Sequence, residues 1–308
     1  MINRELIRLK VVQLVYADYK NEGKSVDDAM KELVFSLSKS YDLYHYLLLL
    51  ITDITDYARR RYDSLNERLK TIGSHDTANA RFVNNRLAAL LADNKQLYEF
   101  YEKPETHKWL EQEGLVKKLY KQITESSIYE AYMASEDDSF ETDRELWRKA
   151  YKQFICNNED VDNALEEWSL YWNDDKEVVD TFVLKTIKRM NEADGPDQPL
   201  LPAYSADEDR EFAGRLFEAA LMHRGAYEEM IRQSTRNWDF ERIAVMDVVI
   251  MICALAEVMT FPNIPVNITL NEYIDLAKIY SSPRSAGFVN GLLDHIVKIL
   301  RGKGLINK

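Results

Sequence analysis

Histidine and cysteine, the side chains that most often carry nucleophilic, acid–base or metal chemistry, are few and scattered in this 308-residue chain. No P-loop, G-x-G-x-x-G or H-E-x-x-H motif is present. The two cysteines, Cys156 and Cys253, are too far apart for a zinc or redox motif and too few for a disulfide framework. The histidines are isolated at His45, His75, His107, His223 and His295. These residues argue against an enzyme, a metal site or a cofactor, and the cysteine usage predicts a reducing, cytoplasmic compartment.

Basic side chains offer a different chemistry, because lysine and arginine bind phosphate. The net charge of −12 argues against a nucleic-acid partner, but the charge is unevenly distributed: residues 1–24 carry +2, residues 206–308 carry −2 and residues 25–205 carry −12. Arg4 and Arg8 lie four residues apart, which places them on one face near the start of a predicted helix, while Lys10 points elsewhere. The chain therefore has a short basic start and an acidic middle.

Helices are the elements that must position these residues. A content of 46% apolar and 30% charged residues, with only 10 Gly and 7 Pro, favours an all-α protein with two cores. The apolar pattern predicts a largely buried first helix from about Asn3 to Tyr19 and a long second helix capped by Ser25. Further helices follow between about 60 and 200, one of them with a capping box at Thr142 and Glu145. The tryptophans of this region indicate helix packing more than a ligand site.

The clearest break in the pattern is the segment Gly195–Pro202, in which three prolines remove backbone donors and clash with a helix. A domain boundary is expected here. Ser205 and Glu208 then predict a capping box for the next helix.

The last third of the chain predicts a compact helical core. The residues from about 239 to 259 are apolar nearly all round, so this helix must lie at the centre of a core. A capping box at Thr269 and Glu272 predicts the next helix, and a final helix is expected from about 285 to 300. No apolar run reaches the roughly 18 residues that a membrane-spanning helix needs.

Read whole, the C-terminal sequence resembles the NusB family. It has a tryptophan, then E-R-I, an aspartate, a buried apolar helix ending near a glutamate, I-P before an N-E and L-A-K helix, and F-V-N-G-x-L-D. The first helix is also similar to the family opening, since Arg4 and Arg8 lead into a V-V-Q-L-V-Y segment ending at Tyr16. The matching residues are Trp238, Glu241-Arg242-Ile243, Asp247, Glu257, Pro265, Asn271-Glu272, Leu276-Ala277-Lys278, Phe288-Val289-Asn290-Gly291 and Leu293-Asp294.

The resemblance implies an all-α, NusB-like bundle interrupted by an additional inserted helical domain. Residues 1–50 are expected to form the N-terminal part of the NusB-like core, residues 51–205 the acidic inserted region, and residues 206–308 the C-terminal part of the core. The insert is expected to form its own bundle, joined through the Pro196–Pro202 segment.

The function that the resemblance implies is transcription antitermination without catalysis. A NusB protein binds boxA-type single-stranded RNA in leader and ribosomal RNA transcripts together with the ribosomal protein NusE, and the pair joins the RNA polymerase elongation complex. Single-strand recognition uses basic side chains for phosphates and aromatic or amide groups for splayed bases. By position, the implied RNA-binding residues are Arg4, Arg8, Lys10, Tyr16, Arg284, Ser285, Phe288 and Asn290.

Two of these positions have a further interpretation. Glu5 and Leu6 stand where the family usually has more arginines, and Arg284, in the loop before the F-V-N-G turn, is a cation where the family often has an acid. We therefore expect Arg284 to compensate for the thin N-terminal basic segment. Phe288 could equally belong to the core.

For NusE, the resemblance implies an acidic surface around Glu241 and Asp247, since acidic groups suit a basic ribosomal protein. Plain surface acidity explains these two residues nearly as well. No membrane and no small-molecule substrate are expected.

Two other functions were weighed. NusB-like domains also precede the catalytic domain of ribosomal RNA cytosine methyltransferases, but the nucleotide-type domain with its glycine-rich loop and catalytic cysteines is not found in this sequence. A protein-interaction scaffold that keeps NusE and has weak or no RNA binding is the stronger alternative, because the acidic middle region would repel phosphate.

Overall fold

The computed structural model describes residues 1–21, 25–74, 77–235 and 240–308, and within these ranges the chain is helical throughout. No strand occurs in these ranges, where extended pairing is limited to one isolated parallel bridge between Ile2 and Tyr204. The predicted all-α class is confirmed. The α-helices in chain order are α1 (Arg4–Lys20), α2 (Val26–Thr71), α3 (Arg86–Ala92), α4 (Lys95–Tyr101), α5 (Lys108–Glu111), α6 (Glu113–Thr124), α7 (Ser127–Ala134), α8 (Phe140–Phe154), α9 (Glu159–Trp168), α10 (Lys176–Arg189), α11 (Asp207–Met222), α12 (Arg224–Ser234), α13 (Val245–Thr260), α14 (Val266–Tyr280) and α15 (Pro283–Gly302). Short 3₁₀ helices span Pro104–Thr106, Leu170–Trp172, Glu192–Asp197 and Phe240–Arg242.

The chain folds into two compact units. The terminal unit consists of Ile2–Ser38 and Tyr204–Lys308, and the middle unit consists of Met1 and Lys39–Ala203. These divisions differ from the expected boundaries at 50/51 and 205/206. Helix α2 continues without a break through residue 50, so the chain has no loop there at which a boundary could fall.

In the terminal unit, α13 is the central helix. Every residue from Asp247 to Val258 is buried, and α13 packs against α1, α11, α12, α14 and α15. The prediction of a central core helix from its all-round apolar pattern is confirmed, because only a helix enclosed by neighbours can bury such a surface. Helix α1 lies on α11 and α13 and begins at Asn3, whose side chain accepts a hydrogen bond from the Leu6 amide at 2.9 Å.

In the middle unit, α8 takes the central place and packs against α3, α6, α7 and α10. Three of the four tryptophans noted in this region, Trp109, Trp147 and Trp172, are buried. The ring of Trp168 contacts Trp109 edge to face, with 4.6 Å between centroids. The prediction that these tryptophans pack helices together is confirmed.

The segment Gly195–Pro202 breaks the helical pattern as predicted, but it is not a free linker. Leu200 and Leu201 are buried, and the Leu200 amide donates to the side chain of Gln96 at 2.7 Å. The Asn94 side chain donates to the Gln198 carbonyl at 2.8 Å. Because backbone groups of the segment form hydrogen bonds with α4 and with Asn94, just before α4, the segment belongs to the middle unit.

Three predicted capping boxes are wrong. Ser139, not Thr142, caps α8, and the residue before α11 is Ala206, which makes no side-chain cap. Helix α14 begins at Val266, so Thr269 lies inside it. The S/T-x-x-E spacing occurs within helices as well as at their starts, and position along the helix decides which role it has. Ser25 does cap α2, accepting from the Asp28 amide at 3.2 Å.

Within the described ranges, no helix is long and apolar enough to cross a membrane.

Candidate nucleic-acid interface

The guanidinium of Arg8 is buried in the terminal unit, where it forms a forked ion pair. Its Nε and Nη2 atoms each donate to a carboxylate oxygen of Glu257 at 2.8 Å, and Nη1 donates to Glu272 at 3.0 Å. The Glu257 carboxylate also accepts from the Thr269 hydroxyl at 2.8 Å. We call these four residues the Arg8 cluster. Burial acts to lower the pKa of Arg8, but the hydrogen bond and charge of Glu257 outweigh it, so the pKa is raised.

The Arg8 cluster corrects the expectation that Arg8 binds RNA phosphate. The side chain is 4% exposed and its donors are already engaged, so it holds α1 against α13 and α14. Lys10 is corrected in the same way, since it is only 1% exposed and cannot reach a phosphate in this conformation. Of the three basic residues at the start of α1, only Arg4 is exposed. Even Arg4 is partly neutralised by Asp209 at 3.4 Å and lies over the Phe212 ring at 5.0 Å.

A second face of α1 carries Gln13, Tyr16 and Lys20, which are spaced three and four residues apart and so lie in line. Tyr16 is half-buried and Lys20 is exposed, with its ammonium 6.0 Å from the Tyr16 ring centroid. The Gln13 amide donates to the Tyr280 hydroxyl at 2.9 Å, which joins this face to the end of α14. The predicted residue Tyr16 therefore lies on a neighbouring face of α1, about 80° from Arg8 and about 120° from Arg4 around the helix axis.

Helix α15 starts close to that second face. Arg284 lies four residues beyond Tyr280, so their Cα atoms are at most about 15 Å apart. Ser282 caps α15 by accepting from the Ser285 amide at 3.2 Å, and Pro283 occupies the first helical position. Arg284 and Ser285 thus belong to the first turn of a helix, which corrects the expectation that they lie in a loop.

The N-terminus of α15 is electropositive. Its first turn contains no acidic residue, Arg284 is exposed there, and the helix dipole adds partial positive charge at this end. Among the described residues, no carboxylate forms an ion pair with Arg284. An anion such as a phosphate could be held at this position.

One face of α15 combines Arg284, Gly287, Phe288 and Gly291, which lie three or four residues apart. We call this the α15 face. Phe288 is half-buried, and both glycines are exposed. A Cβ atom added at either glycine would meet nothing within 4 Å, so packing inside the protein does not require a glycine at either position. Glycine within a helix costs about 0.5–1 kcal/mol relative to alanine, and one benefit that can offset this cost is close backbone approach by a ligand.

The F-V-N-G motif is therefore not a turn, as the sequence suggested, but a stretch inside α15. Asn290 is exposed, but it projects about 120° away from Arg284 around the helix. The structure groups Arg284 with Phe288 and leaves Asn290 on a neighbouring face. Ser285, whose amide is used by the cap, is half-buried.

The two residues expected to contact NusE differ in exposure. Glu241 lies in the 3₁₀ helix Phe240–Arg242 and is exposed, with an ion pair to Arg232 at 3.4 Å. Asp247 is 3% exposed near the start of α13, so a surface role for it is corrected. Trp238 and Asp239, which belong to the same motif and to the expected helix start, lie outside the described residues.

Neither cysteine is activated for nucleophilic chemistry. Burial raises the pKa of Cys156 to about 12, helped by the charge of Asp180. Burial also raises the pKa of Cys253, so both thiols are protonated near neutral pH. In the described ranges, no group of three or more His, Cys, Asp or Glu side chains is placed to hold a metal ion.

Sequence reasoning missed the Arg8 cluster and the face carrying Lys20. A partial signal for the cluster was present, since Glu257 is a single carboxylate near the end of the nearly all-apolar helix α13 and so needs a buried cation as its partner. The signal for the α15 face was the pair of glycines four residues apart in a predicted helix, where each glycine costs about 0.8–1 kcal/mol relative to alanine.

Two comparisons of the sequence with known proteins point to the same family. The sequence model of the NusB family matches residues 181–298. The transcription antitermination protein NusB of Salinibacter ruber is 36% identical over 132 residues, which is 41% of this chain and 82% of that protein. The NusB of Geotalea uraniireducens is 36% identical over 133 residues, covering 43% of this chain and 89% of that protein. The NusB of Dictyoglomus turgidum is 40% identical over 87 residues, covering 28% of this chain and 60% of that protein. No solved structure gives a significant match to the chain.

Proposed function

The chain belongs to the NusB family of transcription antitermination proteins, and on that premise we propose that it binds boxA-type single-stranded RNA together with the ribosomal protein NusE. As a member of the RNA polymerase elongation complex, the pair would support transcription of ribosomal RNA. The observation that carries the RNA proposal is the α15 face, where two glycines that internal packing does not require adjoin an aromatic ring and an exposed arginine without an ion pair in the described ranges.

The α15 face has the parts that single-strand recognition needs. Arg284 and the positive end of the helix can hold a phosphate, while the Phe288 ring can stack on a base. The glycines allow a nucleotide to approach the helix backbone. Lys20 and Tyr16 on α1 would extend the site, and Asn290 could accept or donate to a base edge at its margin. Arg4 lies about 18 Å from Tyr16 along the axis of α1 and would contribute only at long range.

For NusE, we propose a surface that includes Glu241. This carboxylate is exposed near the start of α13, and an acidic group suits a basic ribosomal protein. Asp247 would act beneath that surface and not in direct contact, because it is buried.

The alternative is a NusB-fold scaffold that binds NusE but has weak or no RNA binding. The burial of Arg8 and Lys10 favours it, because two of the basic residues expected to contact RNA are unavailable. The charge of −12 on residues 25–205 also acts against phosphate. The compensating role of Arg284 is what separates the two functions.

The test is a fluorescence anisotropy titration of labelled boxA-type RNA with the full-length chain and NusE, repeated over a series of salt concentrations. Three variants are compared: Gly291→Ala, Arg284→Glu and Arg301→Glu. Arg301→Glu is the matched control, because it makes the same charge change on the same helix about 25 Å away. A scrambled RNA gives the sequence-independent background.

We expect Gly291→Ala to weaken RNA binding by about tenfold while stabilising the fold by about 0.5–1 kcal/mol. Arg284→Glu is expected to reduce both the affinity and the slope of its salt dependence, since a phosphate contact is lost. Arg301→Glu should change neither slope nor affinity by more than about twofold. Unchanged binding in both site variants would favour the scaffold.

A further inference from the structure

The middle unit contains a small cavity to which no role has been assigned. Its volume is about 230 Å³, and it opens between α2 and the helix pair α5 and α6. The lining residues are Asp53, Arg60, Trp109, Leu110, Glu113 and Val116. The whole cavity is built by one compact unit.

One wall of the cavity is apolar and fixed. Trp109 and Val116 are buried, and the Trp109 indole N–H donates to the Tyr46 carbonyl at 2.7 Å. That hydrogen bond holds the indole in one orientation. Leu110 is 53% exposed and lies at the mouth of the cavity. This wall can receive an aliphatic stem a few carbons long.

The opposite wall carries a carboxylate that has no partner. The Asp53 side chain is half-buried, and no other residue in the described ranges donates a hydrogen bond to it or forms an ion pair with it. Buried carboxylates are normally paired or hydrogen-bonded, because their loss of hydration is otherwise uncompensated. Asp53 is therefore a half-buried carboxyl group for which the described residues provide no partner.

The charged groups around Asp53 favour a bound cation. Burial raises the pKa of Asp53 to about 7, and the neighbouring charge of Asp56 acts in the same direction. Arg60 and His107 act in the opposite direction, although neither is recorded in an ion pair with Asp53 in the described part of the chain. The exposed Glu113 adds a second carboxylate to the lining. A ligand with a positive group would relieve this imbalance.

We propose that the cavity binds a primary ammonium group carried on an aliphatic stem, with Asp53 as its ion-pair partner and Trp109 and Val116 lining the stem. The ammonium would lie near the indole, where a cation gains about 0.5–2 kcal/mol from the ring. A divalent metal ion is a poor fit, because no group of three or more ligating side chains surrounds the cavity in the described part of the chain. The same chemistry is offered by a free alkyl diamine and by a lysine side chain of a partner protein.

The test is isothermal titration calorimetry of the full-length chain at pH 8, where Asp53 is mostly ionised. The probes are 1,5-diaminopentane, a blocked lysine, and 1-pentanol as an uncharged control. Asp53→Asn is compared with Asp56→Asn, which makes the same chemical change on the same helix at an exposed carboxylate. We expect saturable binding of at least one amine, weakened at least about tenfold by Asp53→Asn and less than about threefold by Asp56→Asn.

Binding of the diamine alone would assign a free amine, and binding of the blocked lysine would assign a partner side chain. Equal binding of 1-pentanol, no saturation by either amine, or undiminished binding in Asp53→Asn would overturn the proposal. A second measurement does not depend on any variant: in the wild-type chain, the carbon-13 resonance of the Asp53 carboxyl should titrate at a lower pH once amine is present. An unchanged titration midpoint would also overturn it.

Discussion

Replacing Arg8 with alanine should destabilise the terminal unit without acting on RNA directly. The change takes the guanidinium away from the Glu257 carboxylate, whose side chain is 0% exposed and which keeps the hydrogen bond from the Thr269 hydroxyl. Removing one partner of a buried ion pair typically costs about 3–5 kcal/mol. Two hydrogen bonds of 2.8 Å to Glu257 and one of 3.0 Å to Glu272 would be lost, which places Arg8→Ala at the upper end of that range.

The assay is native-state hydrogen exchange on peptides from α13, because four of the five tryptophans lie in the middle unit and fluorescence would report mainly on that unit. Arg4→Ala is the control, since its partly exposed ion pair with Asp209 is worth about 1 kcal/mol or less. Replacing Arg8 and Glu257 together by methionine should recover most of the loss. A loss below about 1 kcal/mol in Arg8→Ala, or RNA binding abolished while α13 stays fully protected, would refute the structural role.

Three further predictions concern the middle unit. The pKa of Asp53 is raised to about 7, so its contribution to stability is present below about pH 4 and is lost as the pH rises through about 7. Asp53→Asn should therefore be more stable than wild type at pH 8 by about 1–2 kcal/mol. Urea unfolding of both proteins at about pH 4 and at about pH 8 checks this prediction. Burial lowers the pKa of His45, whose ring stacks on Phe100 with 4.7 Å between centroids. The free energy of unfolding should therefore fall as the pH drops below about 6.5. Thermal unfolding should show that His45→Phe lacks this sensitivity to acid. Ser139→Ala removes the cap of α8 and should cost about 1 kcal/mol, measured by urea unfolding, with no change expected if Thr142 were the cap instead.

The parts of the fold that follow from local pattern were predictable from the sequence. Helix α13 was recognisable because its residues are apolar on all sides, and the Gly195–Pro202 break because proline cannot continue a helix. The contacts that could not be predicted are those between residues far apart in the sequence. The partner of Arg8 lies 249 residues away, so the sequence could not distinguish a buried ion pair from a solvent-exposed phosphate contact.

The candidate site could be predicted only in part, because some of its features also depend on long-range packing. Arg284 and Phe288 were named from their motif, and the structure places them on one face of α15. The F-V-N-G motif was expected to be a turn from the family resemblance, but all four of its residues lie inside helix α15. Lys20 was not predicted, because its position beside Tyr16 depends on where α1 ends.

The measurement that bears most directly on the central claim is the dissociation constant of the full-length chain with NusE for boxA-type RNA and for a scrambled RNA, at one fixed salt concentration. An RNA-binding antitermination factor should prefer the boxA-type sequence by at least about tenfold. Equal affinity for the two RNAs, with NusE still bound, would contradict RNA recognition and leave the scaffold as the function of this protein.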